Sequence, residues 1–106
     1  MFPQAARLHT TQDIITTLRK GHRSASGPVT CSVLRKGGTL GRVAVIVDSK
    51  VSKRAIVRNL VKRRTRAALR ELTLPSGDMV VRLAPPARNL TYQQLREQLN
   101  QCLKRV

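Results

Sequence analysis

Residues 49–71 read SKVSKRAIVRNLVKRRTRAALRE, and the reading of this stretch decides the fold. Its apolar residues return at helical spacing, which predicts a helix from about Lys53 to Leu72. At roughly 100° per residue, Val57, Val61, Ala68 and Leu72 gather on one side, with Leu60 and Ala67 at a flank. Arg54, Arg58, Lys62, Arg66 and Arg70 follow one another at intervals of four and wind slowly over about 160° of the cylinder. Asn59 and Arg63 fall in or beside that arc. One side is therefore expected to be core and the other a ridge of positive charge. Each like-charged pair at this spacing destabilises an isolated helix by roughly 0.2–0.5 kcal/mol, and Glu71 is the one carboxylate nearby. A polyanion is the simplest partner to offset the repulsion. The ridge is mostly arginine, whose planar fork suits phosphate better than a merely solvated face requires.

Upstream of this helix, Arg42–Val47 is a continuous apolar run that reads as a buried, central strand. Val29–Leu34 alternates with the period of a half-buried strand. Arg35, Lys36, Gly37, Gly38 and Thr39 would turn the chain between them, so the two are expected to pair as an antiparallel hairpin. Asp48–Ser52 leads into the basic helix, with Ser49 or Ser52 as its cap. Further back, His22–Pro28 reads as a loop of small residues. Thr10 to Asp13 offers a helix start, Ile14, Ile15 and Leu18 its apolar face, and Gly21 its stop. Residues 1–9 carry no strong pattern and read as an irregular arm.

Downstream, Pro75, Ser76 and Gly77 break the helix, Asp78–Leu83 is a third strand, and Ala84 to Ala87 ends it. Thr91 and Gln94 make a capping box for a closing helix striped by Leu95, Leu99, Cys102, Leu103 and Val106. The expected order is α-β-β-α-β-α in a single domain, residues 1–106. It is a compact two-layer α+β fold with helices on one face of a small mixed sheet.

Composition narrows the function. Lys and Arg number 21 against 5 Asp and Glu, a net charge of +16 and a pI near 11.8, the balance of a protein that meets nucleic acid or an anionic surface. No apolar run is long enough to span a bilayer and no signal-peptide segment opens the chain, so a cytoplasmic protein is expected. Cys31 and Cys102 lack metal-ligand spacing and read as reduced core thiols. Neither His9 nor His22 has a catalytic partner. The acids Asp13, Asp48, Glu71, Asp78 and Glu97 are scattered singly, without the pairing that two-metal phosphate chemistry needs. Gly37 and Gly38 make a turn rather than a phosphate loop. The polypeptide alone is a binder. Phe2 and Tyr92 are its only aromatics, so a single strand would be held by charge, aliphatic packing and backbone contacts, with strong salt dependence.

Several segments together resemble one family. Val57, Arg58, Asn59, Leu60, Val61, Lys62, Arg63, Arg64, Thr65 and Arg66 resemble the signature helix of the protein subunit of bacterial ribonuclease P. That helix has Arg-Asn-Arg followed by x-Lys-Arg and a further Arg. Arg7 and Leu8 ahead of Asp13, then Lys20 to Arg23, resemble the family's opening helix and glycine stop. Val47 with Ser49 and Lys50 resembles its strand end, and Pro86 and Ala87 with Leu90 to Gln94 the entry to its closing helix. The sequence departs from the pattern at Leu60, which stands at the second arginine. It departs also in Asp48–Arg54, which aligns only with one residue inserted. Ile14 and Leu18 stand where phenylalanine is usual, and Ser32 where an aromatic is common.

The resemblance implies a βαβ unit with the rare left-handed crossover. It also implies a division of labour: a large catalytic RNA holds Mg²⁺ and hydrolyses the phosphodiester bond that frees the 5′ leader of precursor tRNA. The protein, expected at one copy per RNA, neutralises phosphate and holds the leader in a cleft beside the sheet. The residues expected at RNA are Lys50, Lys53, Arg54, Arg58, Asn59, Lys62, Arg63, Arg66 and Arg70. Those expected at the leader are Ile14, Leu18 and Ser32. A ribosomal-type RNA binder explains charge and size equally well. A cationic membrane-surface protein would need an amphipathic helix that the core does not use.

Overall fold

The computed structural model describes residues 11–35, 42–72 and 77–105. The elements run α1 (Thr11–Lys20), β1 (His22–Ser26), β2 (Val29–Leu34), β3 (Arg42–Val47), α2 (Ala55–Arg70), β4 (Asp78–Leu83), a short 3-10 helix (Pro85–Asn89) and α3 (Tyr92–Lys104). This is the mixed α+β fold that the pattern predicts, with one strand more. Residues 1–9, Phe2 among them, the 36–41 part of the expected turn, and Pro75 with Ser76 lie outside the described residues, as do Thr10 and Val106.

The four strands lie in the order β1-β2-β4-β3. β2 pairs antiparallel with both β1 and β4, while β3 pairs parallel with β4. The expected hairpin between Val29–Leu34 and Arg42–Val47 therefore does not form, because β4 stands between the two strands. The physical reason lies in β4, whose Met79, Val80, Val81 and Leu83 are all buried, so both of its faces need cover and the centre of the sheet supplies it. β3 is an edge strand rather than the central one. Its unbroken apolar run reflects helices packed above and below it. The β3-α2-β4 unit supplies the parallel crossover that the resemblance implied.

The added strand β1 replaces the loop expected at His22–Pro28. Its sequence, HRSAS, carries no apolar alternation. It is placed by a two-residue turn, Gly27 and Pro28, in which Gly27 takes φ 57°, a conformation open to glycine and awkward for other residues. Its far side is fastened by the Ser26 hydroxyl, which donates to Gln98 Oε1, and by Arg105 Nη1, which donates to the Ala25 carbonyl at 2.9 Å.

Strand alternation divides the interior into two unequal parts. Val29, Cys31, Val33, Val43, Val45, Met79, Val81 and Leu83 face α2 and α3, where they meet Val61, Ala68, Leu69, Leu95, Leu99 and Cys102. Full burial of one such side chain contributes about 1.5–3 kcal/mol, so this face carries most of the hydrophobic stabilisation. On the other face Ala44 and Val80 pack with Ile14, Leu18 and Ile46. The one-sided arrangement of helices thus holds for α2 and α3, whereas α1 crosses the opposite face. Within α1 the buried residue is Thr17, whose hydroxyl donates to the Asp13 carbonyl at 2.8 Å, while Ile15 points outward. α1 stops against β2 at Gly21, where a Cβ would lie 2.5 Å from the Thr17 oxygen and 2.8 Å from that of Val33. Only glycine permits that approach.

Cys31 and Cys102 are free, buried thiols, as the sequence predicts. Cys102 Sγ lies 3.5 Å from the Val29 carbonyl oxygen. A hydrogen bond with Cys102, together with burial, pushes the Cys31 thiol well above its ordinary range, so it stays protonated.

Candidate nucleic-acid interface

The basic helix is launched by a compact turn. Asp48 Oδ1 accepts the Lys50 N–H at 2.9 Å and the Asp48 carbonyl accepts the Val51 N–H at 2.9 Å. Val51 is fully buried, and its carbonyl accepts from Arg88 Nη1 at 3.2 Å. Lys50, Lys53 and Arg54 are left exposed around this anchor. Arg54, in extended conformation, is the N-cap and supplies no side-chain bond. Ser52 is not the cap that the sequence suggested; its hydroxyl accepts the Arg54 N–H at 3.1 Å, one step ahead of the helix.

Along α2 the buried residues are Val61, Thr65, Ala68 and Leu69. Thr65 can be buried because its hydroxyl donates to the Val61 carbonyl at 2.8 Å. Placing Thr65 and Leu69 inward turns the helix from the orientation that its apolar residues alone suggest. Leu60 and Ala67, expected at the flank of the core, are exposed. Arg58 moves to the border of the core, half-buried, with Nη1 donating to the Ser52 carbonyl at 2.8 Å. Lys62 and Arg66 are half-buried along the same border, and Asn59, Arg63, Arg64 and Arg70 stand fully outward.

Asp13, Asp78 and Glu71 are engaged away from the cations of α2. Asp78, 2% exposed, accepts both Arg42 Nε and Nη2, at 2.9 and 3.0 Å, and Asp13 approaches the same guanidinium at 3.6 Å. These contacts join α1, β3 and β4. Glu71 accepts from Arg96 at 3.0 Å and from the Tyr92 hydroxyl at 2.9 Å, which ties the end of α2 to α3. Among the described residues, no carboxylate pairs with any cation of α2. No set of three or more His, Cys, Asp or Glu among them is grouped to hold a metal ion.

A groove of about 280 Å³ opens on the α1 side of the sheet, lined by Arg23, Ala25, Pro28, Thr30, Ser32, Asp48, Arg82, Leu83 and Ala84. Register explains its chemistry. Arg23 faces Ser32 across β1 and β2, and Thr30 faces Arg82 across β2 and β4, so two guanidinium groups and two hydroxyls share one sheet face. The groove lies toward the C-terminal ends of β3 and β4, beside the turn that starts α2. Of the residues expected at a leader, Ser32 lines this groove. Ile14 and Leu18 instead sit beneath α1 against Ala44, Val80 and Ile46. Arg23, Thr30 and Arg82 escaped the sequence reading, because the strand register that unites them is not visible in any one segment.

A mixed sheet that carries a groove, with a helix whose cations pair with no carboxylate among the described residues, is the combination expected of a nucleic-acid-binding α+β domain. A family model described as Ribonuclease P matches residues 2–106, and the chain belongs to that family. It is 36% identical over 118 residues to the ribonuclease P protein component of Streptomyces avermitilis, covering 100% of this chain and 95% of that one. It is 45% identical over 64 residues to the corresponding component of Thermus scotoductus, where the match covers 60% of this chain and only 39% of the relative's length. In fold it is similar to the RNase P protein of Staphylococcus aureus, with a TM-score of 0.83 at 24% identity over 95% of this chain and 94% of that one.

No described helix is long and apolar enough to cross a membrane.

Proposed function

We propose that this chain is the protein subunit of a ribonuclease P ribonucleoprotein. In this reading the outward cations of α2 and its launching turn neutralise phosphates of the catalytic RNA. The groove holds the 5′ leader of precursor tRNA, and the RNA performs the endonucleolytic step that gives the mature 5′ end. The observation that carries the reading is the α2 ridge, unpaired with carboxylate, within a chain whose family membership spans residues 2–106. Mg²⁺ is assigned to the RNA and its substrate, since the described acids are dispersed and largely engaged by arginines. The groove offers Arg23 and Arg82 for phosphate and Thr30 for a sugar hydroxyl, with Ser32 buried at its floor. Among the described residues it has no aromatic face on which a base would stack, so leader sequence should matter little and salt a great deal.

The test is reconstitution with the ribonuclease P RNA of the same organism and a precursor-tRNA cleavage assay across a Mg²⁺ titration. RNA-free protein should cleave nothing, and adding protein to RNA should accelerate cleavage most at low Mg²⁺, where phosphate repulsion is least screened. Equal cleavage with and without protein at every Mg²⁺ concentration would refute the reading.

A further inference from the structure

The outward surface of α2 is not uniformly cationic. Ile56 is 81% exposed and Leu60 41% exposed, although the helix already buries Val61, Thr65, Ala68 and Leu69. With Asn59 and Arg63 they occupy positions i, i+3, i+4 and i+7, so the four side chains adjoin as one patch. Two aliphatic groups lie about 6 Å apart along the helix axis, between an amide and a guanidinium. The fold has no use for this aliphatic surface, since the core lies on another side of the same helix.

The surroundings identify what covers it. α2 carries Arg58, Lys62, Arg63, Arg64, Arg66 and Arg70 and no acid. A second copy of this chain would bring the same cations against the patch, and a neutral apolar partner would have to desolvate them. An RNA satisfies both chemistries. Its phosphates meet the flanking cations, and an unstacked base presents an apolar face with polar edges. Structured RNA is read chiefly at such splayed bases. Resting on the reading of α2 as the RNA-facing helix, we infer that Ile56, Asn59, Leu60 and Arg63 form a pocketless seat for an unpaired base. The aliphatic pair packs against the base face, Asn59 hydrogen-bonds its edge, and Arg63 engages the neighbouring phosphate. The helix then recognises a bulge or loop in the RNA as well as neutralising its backbone.

The seat makes a component of affinity that salt does not screen. Binding of the protein to the transcribed ribonuclease P RNA, and to a fully paired RNA duplex as control, should be measured at low and high monovalent salt. Ile56→Ser with Leu60→Ser should weaken binding to the structured RNA about tenfold at both salts, leave the salt slope unchanged, and leave duplex binding as it was. Leu60→Arg should steepen the slope by about one unit, binding more tightly at low salt and more weakly at high salt than the native chain. Chemical probing should show one unpaired base protected by the native protein and exposed with the double serine variant. Unaltered binding of that variant, or equal losses on RNA and duplex, would overturn the inference. Absence of RNA binding by the native chain would instead refute the proposed function. Circular dichroism confirms that each variant is folded before either result is read.

Discussion

The two long helices that share one face of the sheet are built on opposite terms. α3 begins with a complete capping box: Thr91 Oγ1 accepts the Gln94 N–H at 3.2 Å, and Gln94 Oε1 accepts the Thr91 N–H at 2.9 Å. α2 begins at an arginine with no side-chain cap and has no acid in its first turn. Cations near the start of a helix oppose its macrodipole, and like charges follow along its length. α3 therefore draws stability from its own sequence, whereas α2 is held by what it buries against the sheet. A helix held from one side is free to devote the other to a partner, and the charge pattern that weakens it alone is what an RNA would relieve.

Packing should be the common element, and here the largest effects are expected. Leu69→Ala in α2 and Leu99→Ala in α3, both at fully buried positions, should each lower unfolding free energy by about 2–5 kcal/mol, measured by urea denaturation. A marked loss for Leu99 alone would break the comparison, because α2 would then lie outside the cooperative core. The helices should part company in binding. Arg63→Ala with Arg66→Ala should flatten the salt dependence of RNA affinity by about one unit per lost phosphate contact, with stability within about 0.5 kcal/mol of the native chain. Arg96→Ala in α3 should leave that slope alone. Arg58 is a poorer probe than its place in the sequence suggests, since its bond to the Ser52 carbonyl gives it a structural part as well.

The caps come next in size. Thr91→Ala should cost about 0.5–2 kcal/mol. Arg54→Asp, which supplies α2 with the missing cap and an acid for its dipole, should raise the melting temperature while weakening RNA binding. A variant that gained both would show that the bare start of α2 serves no binding purpose. The smallest effect belongs to the tie between the helices. The hydrogen bond to Glu71 raises the Tyr92 pKa above its ordinary value of 10.0. A group protonated more firmly when folded contributes stability below its unfolded pKa and loses it as pH climbs through the folded one. Stability should thus fall above about pH 10 in the native chain, and Tyr92→Phe should remove that contribution to the alkaline limb, as followed by thermal melts in series.

Local signals carried much of the architecture. The bounds of β4 and the capping box of α3 are legible because a strand between breakers and a Thr/Gln pair are local facts. β1 was hidden by its small and polar residues, and its one clue was the Gly27–Pro28 turn. Strand adjacency is a tertiary outcome: nothing within Val29–Leu34 or Arg42–Val47 shows that a strand beginning at Asp78 will come between them. The same limit governs the sites. The cations of α2 could be counted from the sequence, but their orientation depended on Thr65 being buried through a bond to its own backbone. The groove depended on three strands falling into register.

The place of β4 also bears on how the molecule is made. The strand that unites the sheet is the last of the four to be synthesised, so β2 and β3 leave the ribosome with no neighbour between them. The polybasic segment 50–70 emerges before the strand that completes its platform. Such long-range pairing is slow relative to helix formation. A nascent chain that halts before Asp78 holds the cations without the architecture that aims them. The sheet can close only once the strand ending at residue 83 is available to pair.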